Sequence, residues 1–502
     1  MIIKKQKEIK PLNIAIVSDI IDHFFTRGID FLNFENFFVC DLSRNLRDLG
    51  HNVILVFPWH KSIESSNNFR DFKYISSEKI TVAERDGREE KEIEIRSHEC
   101  SKMNFIFVNE PLLSNREGFT VDPSNGFFYP DNLQRFSIFS KSALESLKTI
   151  PFRPDVIHVI GKWASITSIY AKTLYKYDNF INKSKVIFTL PSLDDMPIFT
   201  PEQYPILGID WRYYSYEYLE FYNKVNIVKG AIVFSDATVF CSASYIEEIK
   251  REEFGNGLEG LINQKVIENK IKYVIPGVNS SFTPKDNPIL SKKGLNYTKD
   301  NIGNKYKIKS LVCKRIKFDE SSILLLFVGK FTEKTGISLI YEVLSDLISK
   351  NKISLILIGK GDDFREVAID EIAKSNPSKV YWVKNVQEDE IIEYLIASDI
   401  VLIPSMVEPS SILHMVSMLF GTVPLVRGVG ILNDIVRDKI NGFKFYEYSP
   451  QSFRDKILEA VDIYYKNPKR WRKIVDTAMR SEFYWSESAK TYVEEIYKTS
   501  KR

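Results

Sequence analysis

Short apolar runs alternate with helix-length amphipathic stretches along almost the whole chain, a pattern that predicts parallel sheets wound with helices. The run Leu12 to Val17, a helical pattern through Phe37, Leu42 and Leu46 ending at Gly50, and the run Asn52 to Phe57 read as a first βαβ unit. Its loop, SDIIDHFFTRGID, carries one glycine, Gly28, beside Thr26 and Arg27, and a lone glycine is a weak phosphate signal. From Trp59 to Lys102 periodicity is lost and charge rises (VAERDGREEKEIEIRS), which predicts an edge hairpin or surface insertion with a solvated face. Beyond it come FIFVNEP, a helix capped by Asp131 and carrying Phe136, Phe139, Leu144 and Leu147, and the strand PDVIHVI. A helix from Trp163 to Tyr175, the strand Val186 to Leu190, an aromatic-rich segment leading to a helix with Lys229, and the strands ATVFCSA and IKYVIPG complete the first half. His158 lies within PDVIHVI, a setting more common for a hydrogen-bonded core histidine than for a catalytic one.

The stretch SSFTPKDNPILSKKGLNYTKDN lacks periodicity and is rich in Pro, Asn and Ser, as an inter-domain linker is. After it the alternation resumes in five β-then-helix units: ILLLFVGK, SLILIGKG, VYWVKN, DIVLIP and VPLVRG. The expected fold class is therefore α/β, two Rossmann-like doubly wound domains facing a cleft, residues 1–282 and 283–485, with 486–502 as a terminal helix. The loops turned toward the cleft are Thr26 to Gly28, Gly329 to Gly336, Glu408 to Ser411 and Arg427 to Leu432. In the fourth unit the loop Ser405 to Ser411 follows a buried strand, and Ser410 or Ser411 is the expected N-cap of the next helix. Ligands bind outside the carboxyl ends of such strands, so Glu408 stands where a phosphorylated ligand is held. The same pattern also fits a capped helix with a surface glutamate.

Composition narrows the function classes. At 502 residues and 44% hydrophobic, the chain can bury two cores. A formal charge of +3, from 69 basic and 66 acidic residues, gives no footprint for nucleic acid. Cys40, Cys100, Cys241 and Cys313 are scattered without a CxxC pair, which argues against a disulfide framework or zinc site and for a reducing, cytoplasmic setting. The basic start is followed by an apolar run too short for a signal peptide, and no stretch reaches the roughly 20 apolar residues of a membrane span.

A collinear series of motifs carries a resemblance. YPDNLQRFSIFSKSALE, PDVIHVI, LEFYNKVNIVKGAI, SDATVFCSASYIEEI, EEFGNGLEGL, VGKFTEKTG, LIGKGD, IPSMVEPSSIL, FGTVPLVR, NGFKF and FYWSESAKTYVEEIY together resemble the bacterial glycogen synthase and plant starch synthase family. The resemblance implies a retaining GT-B glucosyltransferase. Its donor would be a nucleotide sugar, ADP-glucose in the family, and its acceptor the non-reducing end of an α-1,4-glucan. It implies no cofactor or metal, and a final helix, Ser486 to Tyr497, that crosses back to the first domain.

It also carries site residues onto this chain. Glu408 matches the family glutamate, and the Cys-Gly after it is Ser410-Ser411. In the arginine-then-lysine motif, Lys330 stands at the arginine and Thr335 at the lysine, with Lys334 adjacent. The first-domain Lys-Thr-Gly-Gly loop corresponds to Phe25-Thr26-Arg27-Gly28, leaving Arg27 as the substitute cation. The family's Thr-Gly-Gly-Leu anion loop reads Val429-Gly430-Ile431-Leu432, its adenine-stacking tyrosine aligns with Val386, and its His-Asn has become Pro191-Ser192. Its His-Asp-Trp-His stretch reads Ile160-Gly161-Lys162-Trp163, so a sugar-contacting histidine is lost, and His158 and Trp163 stand as the acceptor-side candidates. Because these substitutions fall on ligand-facing loops, two other outcomes stay open: a silent homologue that binds glucan or regulates a synthase, and a transferase using another sugar donor.

Overall fold

Helices cover both faces of each sheet, so the apolar runs become strands buried along most of their length. The computed structural model describes residues 10–19, 35–64, 72–84, 86–100 and 102–498. The strands of the first domain are β1 (Asn13–Ser18), β2 (Asn52–Pro58), β3 (Lys73–Glu84), β4 (Gly87–Cys100), β5 (Met103–Asn109), β6 (Val156–Ile160) and β7 (Lys185–Thr189). They continue as β8 (Ile198–Phe199), β9 (Glu220–Phe221), β10 (Lys224–Asn226), β11 (Ala237–Phe240) and β12 (Ile271–Tyr273). One sheet runs β12-β11-β7-β6-β1-β2-β5-β4-β3, and β8-β10-β9 form a small second one. The large sheet is parallel except that β4 runs antiparallel to both β3 and β5. This is the expected edge hairpin. Ile80, Val82, Ile93 and Ile95 are buried while most of β3 faces solvent, since at this edge the helices cover only one side of the hairpin.

The second domain holds β13 (Ile323–Val328), β14 (Ile353–Ile358), β15 (Val380–Val383), β16 (Ile400–Ile403), β17 (Val423–Arg427) and β18 (Phe443–Phe445), all parallel in the order β15-β14-β13-β16-β17-β18. Five of these strands follow the apolar runs, and β18 is additional. A buried ion pair fastens this sheet at its base. Lys309 Nζ lies 2.6 Å from Asp399 Oδ2, which also accepts from Leu324 N, and the neighbouring carboxylate holds the lysine's pKa above its usual range despite burial.

Each sheet reverses its winding beside its first strand. β1 lies between β2 and β6, and β13 lies between β14 and β16. At such a switch point the loops leaving the carboxyl ends diverge to opposite faces and open a crevice. Among the described residues, the loops so placed follow β6 in the first domain, and β13 and β16 in the second.

The chain crosses between domains twice, and the crossings touch. Val278 N donates to Phe483 O at 2.8 Å, and a Cβ on Gly277 would come within 2.3 Å of Trp485 N, so only glycine lets the two segments lie this close. The final helix then packs on the first domain. Trp485 meets Phe38 edge-on at 5.3 Å, Ser488 donates to Ile275 O, and Tyr492 and Tyr497 are fully buried.

Candidate functional site

Three loops gather at the carboxyl edge of the second sheet. After β13, Gly336 takes φ +74° and a Cβ there would lie 2.2 Å from Pro404 O, so the turn abuts the end of β16. Thr335 Oγ1 donates to Lys330 O at 2.6 Å and closes this turn on itself, leaving the Lys330 side chain exposed. After β16, Met406 N donates to Lys334 O, and Ser405 Oγ donates to Glu408 Oε2 at 2.7 Å. Arg427, at the end of β17, donates to Met406 O at 2.7 Å and to Tyr446 O, with its guanidinium over the Tyr448 ring. Gly430 approaches from the third loop at φ +45°, where a Cβ would sit 1.9 Å from Glu408 O, and Ile431 N donates to that carbonyl at 3.0 Å.

These contacts fix Glu408 at the junction of the three loops. Burial pushes its carboxyl up to about 7, and the Ser405 hydroxyl opposes that rise. A carboxyl titrating there can donate as well as accept a hydrogen bond at neutral pH.

The first domain supplies the opposite wall. Asp19, just past β1, accepts from Trp163 N and Ala164 N, and Gly161 at φ +109° admits that carboxylate where a Cβ would clash at 1.9 Å. Lys334 Nζ reaches across to Asp194 Oδ2 at 3.6 Å and Asp195 Oδ2 at 4.0 Å. Asp434 accepts from Ser242 Oγ and Ser244 Oγ, both at 2.6 Å, and Glu248 Oε1 accepts from Gly430 N at 2.8 Å.

Comparison with known proteins bears on what such a cleft does. Residues 38–264 match the starch synthase catalytic domain, and residues 312–476 match the glycosyl transferases group 1 domain. The glycogen synthase of Thermodesulfovibrio yellowstonii is 31% identical over 396 residues, 78% of each chain. The chain belongs to the glycogen synthase family. Another member, from Alkaliphilus metalliredigens, is 30% identical over 463 residues, covering 89% of this chain and 92% of its own. The catalytic domain of Starch Synthase IV from Arabidopsis thaliana, solved bound to ADP and acarbose, shares the fold with a TM-score of 0.82 at 21% identity, over 97% of this chain and 99% of that one. Sucrose-phosphate synthase from Thermosynechococcus elongatus matches with a TM-score of 0.57 at 14% identity, over 95% and 96% of the two chains. The architecture is GT-B, and the chain is a hexosyltransferase of the glycogen and starch synthase kind.

Within this glycogen synthase family member, the sequence-based site candidates fall into three groups. Glu408, Lys330, Lys334 and Gly430 come together on the loops described. Arg27 and Gly28 lie outside the described residues. His158 and Trp163 need correction as acceptor-side groups. The His158 ring is fully buried in the sheet, with Nδ1 2.7 Å from Tyr497 Oη and Nε2 2.7 Å from Thr189 Oγ1. Burial pushes its pKa down to about 3, so it serves as a neutral core group that fastens the final helix. Trp163 turns its ring into the core, 6% exposed and stacked on Phe136 at 5.0 Å, and only its backbone N–H serves the cleft.

Ser410 and Ser411 also differ from expectation. The helix runs Leu413–Leu419 with Ile412 at the cap position, and Ser411 Oγ accepts from Leu413 N at 3.3 Å. Asp131 likewise pairs with Arg116 instead of capping its helix. Val386 is buried and offers no exposed stacking face. Sequence reasoning missed Asp19, Glu248 and Asp434, and had Arg427 only as the start of a cleft-facing loop. Asp19 carried a readable signal, an acidic residue directly after the first strand. Glu248 sits in an ordinary amphipathic helix, and its partner is 182 residues away.

Proposed function

We propose that this glycogen synthase homologue transfers glucose from ADP-glucose to the non-reducing end of an α-1,4-glucan with retention, in the cytoplasm. The observation that carries the reading is Glu408, whose carboxyl, pushed up to about 7, stands where the loops leaving β13, β16 and β17 meet. ADP and acarbose in the related Starch Synthase IV support a nucleotide and a glucan as the cleft's two occupants. In the reaction the bond from glucose C1 to the diphosphate oxygen breaks, and a bond from C1 to the acceptor's O4 forms. The acceptor proton passes to the departing diphosphate, and with no protein nucleophile assigned, departure and attack share one face of the sugar. Charge developing on the diphosphate is met by Lys330, Lys334 and Arg27, so the reading assigns no metal or cofactor. Glu408 holds a donor hydroxyl and can keep that bond in either protonation state.

Two observations favour a second reading, a catalytically silent glucan-binding or synthase-regulating homologue. Thr335 spends its hydroxyl inside its own turn where the family has a lysine, and Lys334 is engaged by Asp194 and Asp195. Val386, buried where the adenine platform stands in the family, bears on a third reading, a different nucleotide sugar. Incubation with ADP-glucose or UDP-glucose and a glucan primer, with nucleotide release and polymer growth measured together, separates them. Primer-dependent release with growth supports transfer and identifies the donor. A folded protein that releases no nucleotide from either donor yet retains maltooligosaccharides overturns it in favour of the silent homologue.

A further inference from the structure

One carboxylate of the first domain reaches the backbone that shapes the site in the second. Glu248 lies near the end of the helix Ala243–Ile249, is 9% exposed, and accepts from Gly430 N at 2.8 Å through Oε1. The next amide, Ile431 N, donates to Glu408 O at 3.0 Å. Between them Gly430 has little freedom, since its φ of +45° and its approach to Glu408 O leave no room for displacement toward that carbonyl. A continuous line therefore runs from Glu248 Oε1 through the backbone of one residue, Gly430, and the Ile431 amide to the carbonyl of Glu408. Of the other ties on this loop described above, those from Arg427 and Ser405 come from the second domain itself, whereas Lys334 also reaches the first domain, through looser and more exposed contacts to Asp194 and Asp195 at 3.6 and 4.0 Å.

We infer that Glu248 is a positioning residue, through which approach of the first domain sets the Glu408 loop in its working place. The role in catalysis rests on the reading of Glu408 as the donor-binding carboxyl, whereas the mechanical coupling does not. The same interface supplies its own control. Asp434 also joins the domains, through Ser242 and Ser244, but its side chain makes no bond to the Gly430 and Ile431 amides. Contact between the domains is thus separable from the line to Glu408.

The test is hydrogen exchange, read by mass spectrometry on the full chain, in wild type, Glu248→Ala, Glu248→Gln and Asp434→Asn. Each variant's folded state is checked first by thermal melting. Losing this buried acceptor breaks a hydrogen bond and leaves the Gly430 amide unmet, which speeds opening of the segment 405–411 about ten-fold in Glu248→Ala. Glutamine keeps an oxygen at the same reach, so Glu248→Gln restores slow exchange. Asp434→Asn speeds exchange at 242–245 and leaves 405–411 near the wild-type rate. In the transfer assay kcat/KM for ADP-glucose falls in Glu248→Ala and recovers in Glu248→Gln, while KM for the glucan stays constant. Unchanged exchange at 405–411 in a folded Glu248→Ala protein overturns the inference, as does a glutamine variant that behaves like alanine. A wild-type protein that neither binds ADP nor transfers glucose defeats the functional reading instead, and the exchange rates still decide the coupling.

Discussion

Replacing Glu408 by glutamine removes one titrating proton and little else. The side chain keeps its length, and its oxygen can still accept from Ser405 Oγ. In the folded protein the carboxyl is pushed up from 4.5 to about 7, chiefly because burial penalises its charged form. A rise of that size corresponds to about 3 kcal/mol against ionisation. The sign follows from proton binding. Between pH 4.5 and 7 the unfolded chain has lost this proton while the folded chain retains it, so the contribution to stability falls as pH rises through that window and levels off above it.

Other carboxylates add their own slopes, and comparing the two proteins cancels them. The stability of Glu408→Gln relative to wild type should climb by about 3 kcal/mol from pH 4.5 to 8, roughly a 3 °C relative gain in Tm if the chain unfolds as one unit. Calorimetric melts of both proteins at half-unit pH steps measure it. Glu408→Ala, which removes the partner of the donor hydroxyl altogether, should lose transfer while the protein stays folded, the separation of activity from stability that a functional carboxyl produces. A difference curve flat with pH would refute the argument, because it would mean that Glu408 is solvated and its surroundings do not control its proton.

Two further outcomes test the scaffold. Asp399→Ala strands the Lys309 ammonium in the second core and should cost about 3–5 kcal/mol, whereas the paired change Lys309→Met with Asp399→Leu should recover most of it, as read by urea unfolding. Tyr497→Phe leaves His158 Nδ1 without its hydroxyl partner and should cost about 1–2 kcal/mol, with faster proteolysis of the final helix as the earliest sign.

What the sequence made legible follows the range of the interaction. Strands β1, β6, β13 and β16 were readable because both faces are covered, so nearly every residue is apolar and no neighbour is needed to interpret them. The β3–β4 hairpin was readable through lost helical periodicity and dense charge. β18 escaped because three residues flanked by turns carry no period, and β8 to β10 are equally short. At the site, Glu408 could be named from local pattern, since a strand end is a local fact, and Gly430 through the family resemblance of its loop. The strand position of His158 already favoured a hydrogen-bonded core group, and the structure bears that out, but its partner Tyr497 lies 339 residues away and could not be read. Trp163 was misplaced because a position just past a strand does not reveal whether a ring turns to the cleft or to the core. The contacts of Glu248 and Asp434 arise only when two domains fold and meet.

The two touching crossings have a mechanical consequence. A single connecting segment would let one domain swivel and slide freely against the other, but a doubled strap bonded between Val278 and Phe483, with Gly277 seated on Trp485, behaves like the spine of a book. Two bonded segments resist shear across the strap more than a single one would, which leaves bending about it as the softer deformation. The tail that closes the spine is also its clasp. The stretch expected as a linker instead folds onto the second domain, with the helix Pro288–Lys293, buried Leu290 and Tyr297 Oη donating to Phe420 O, so a single cut within it leaves both halves bound through the helix beyond Trp485.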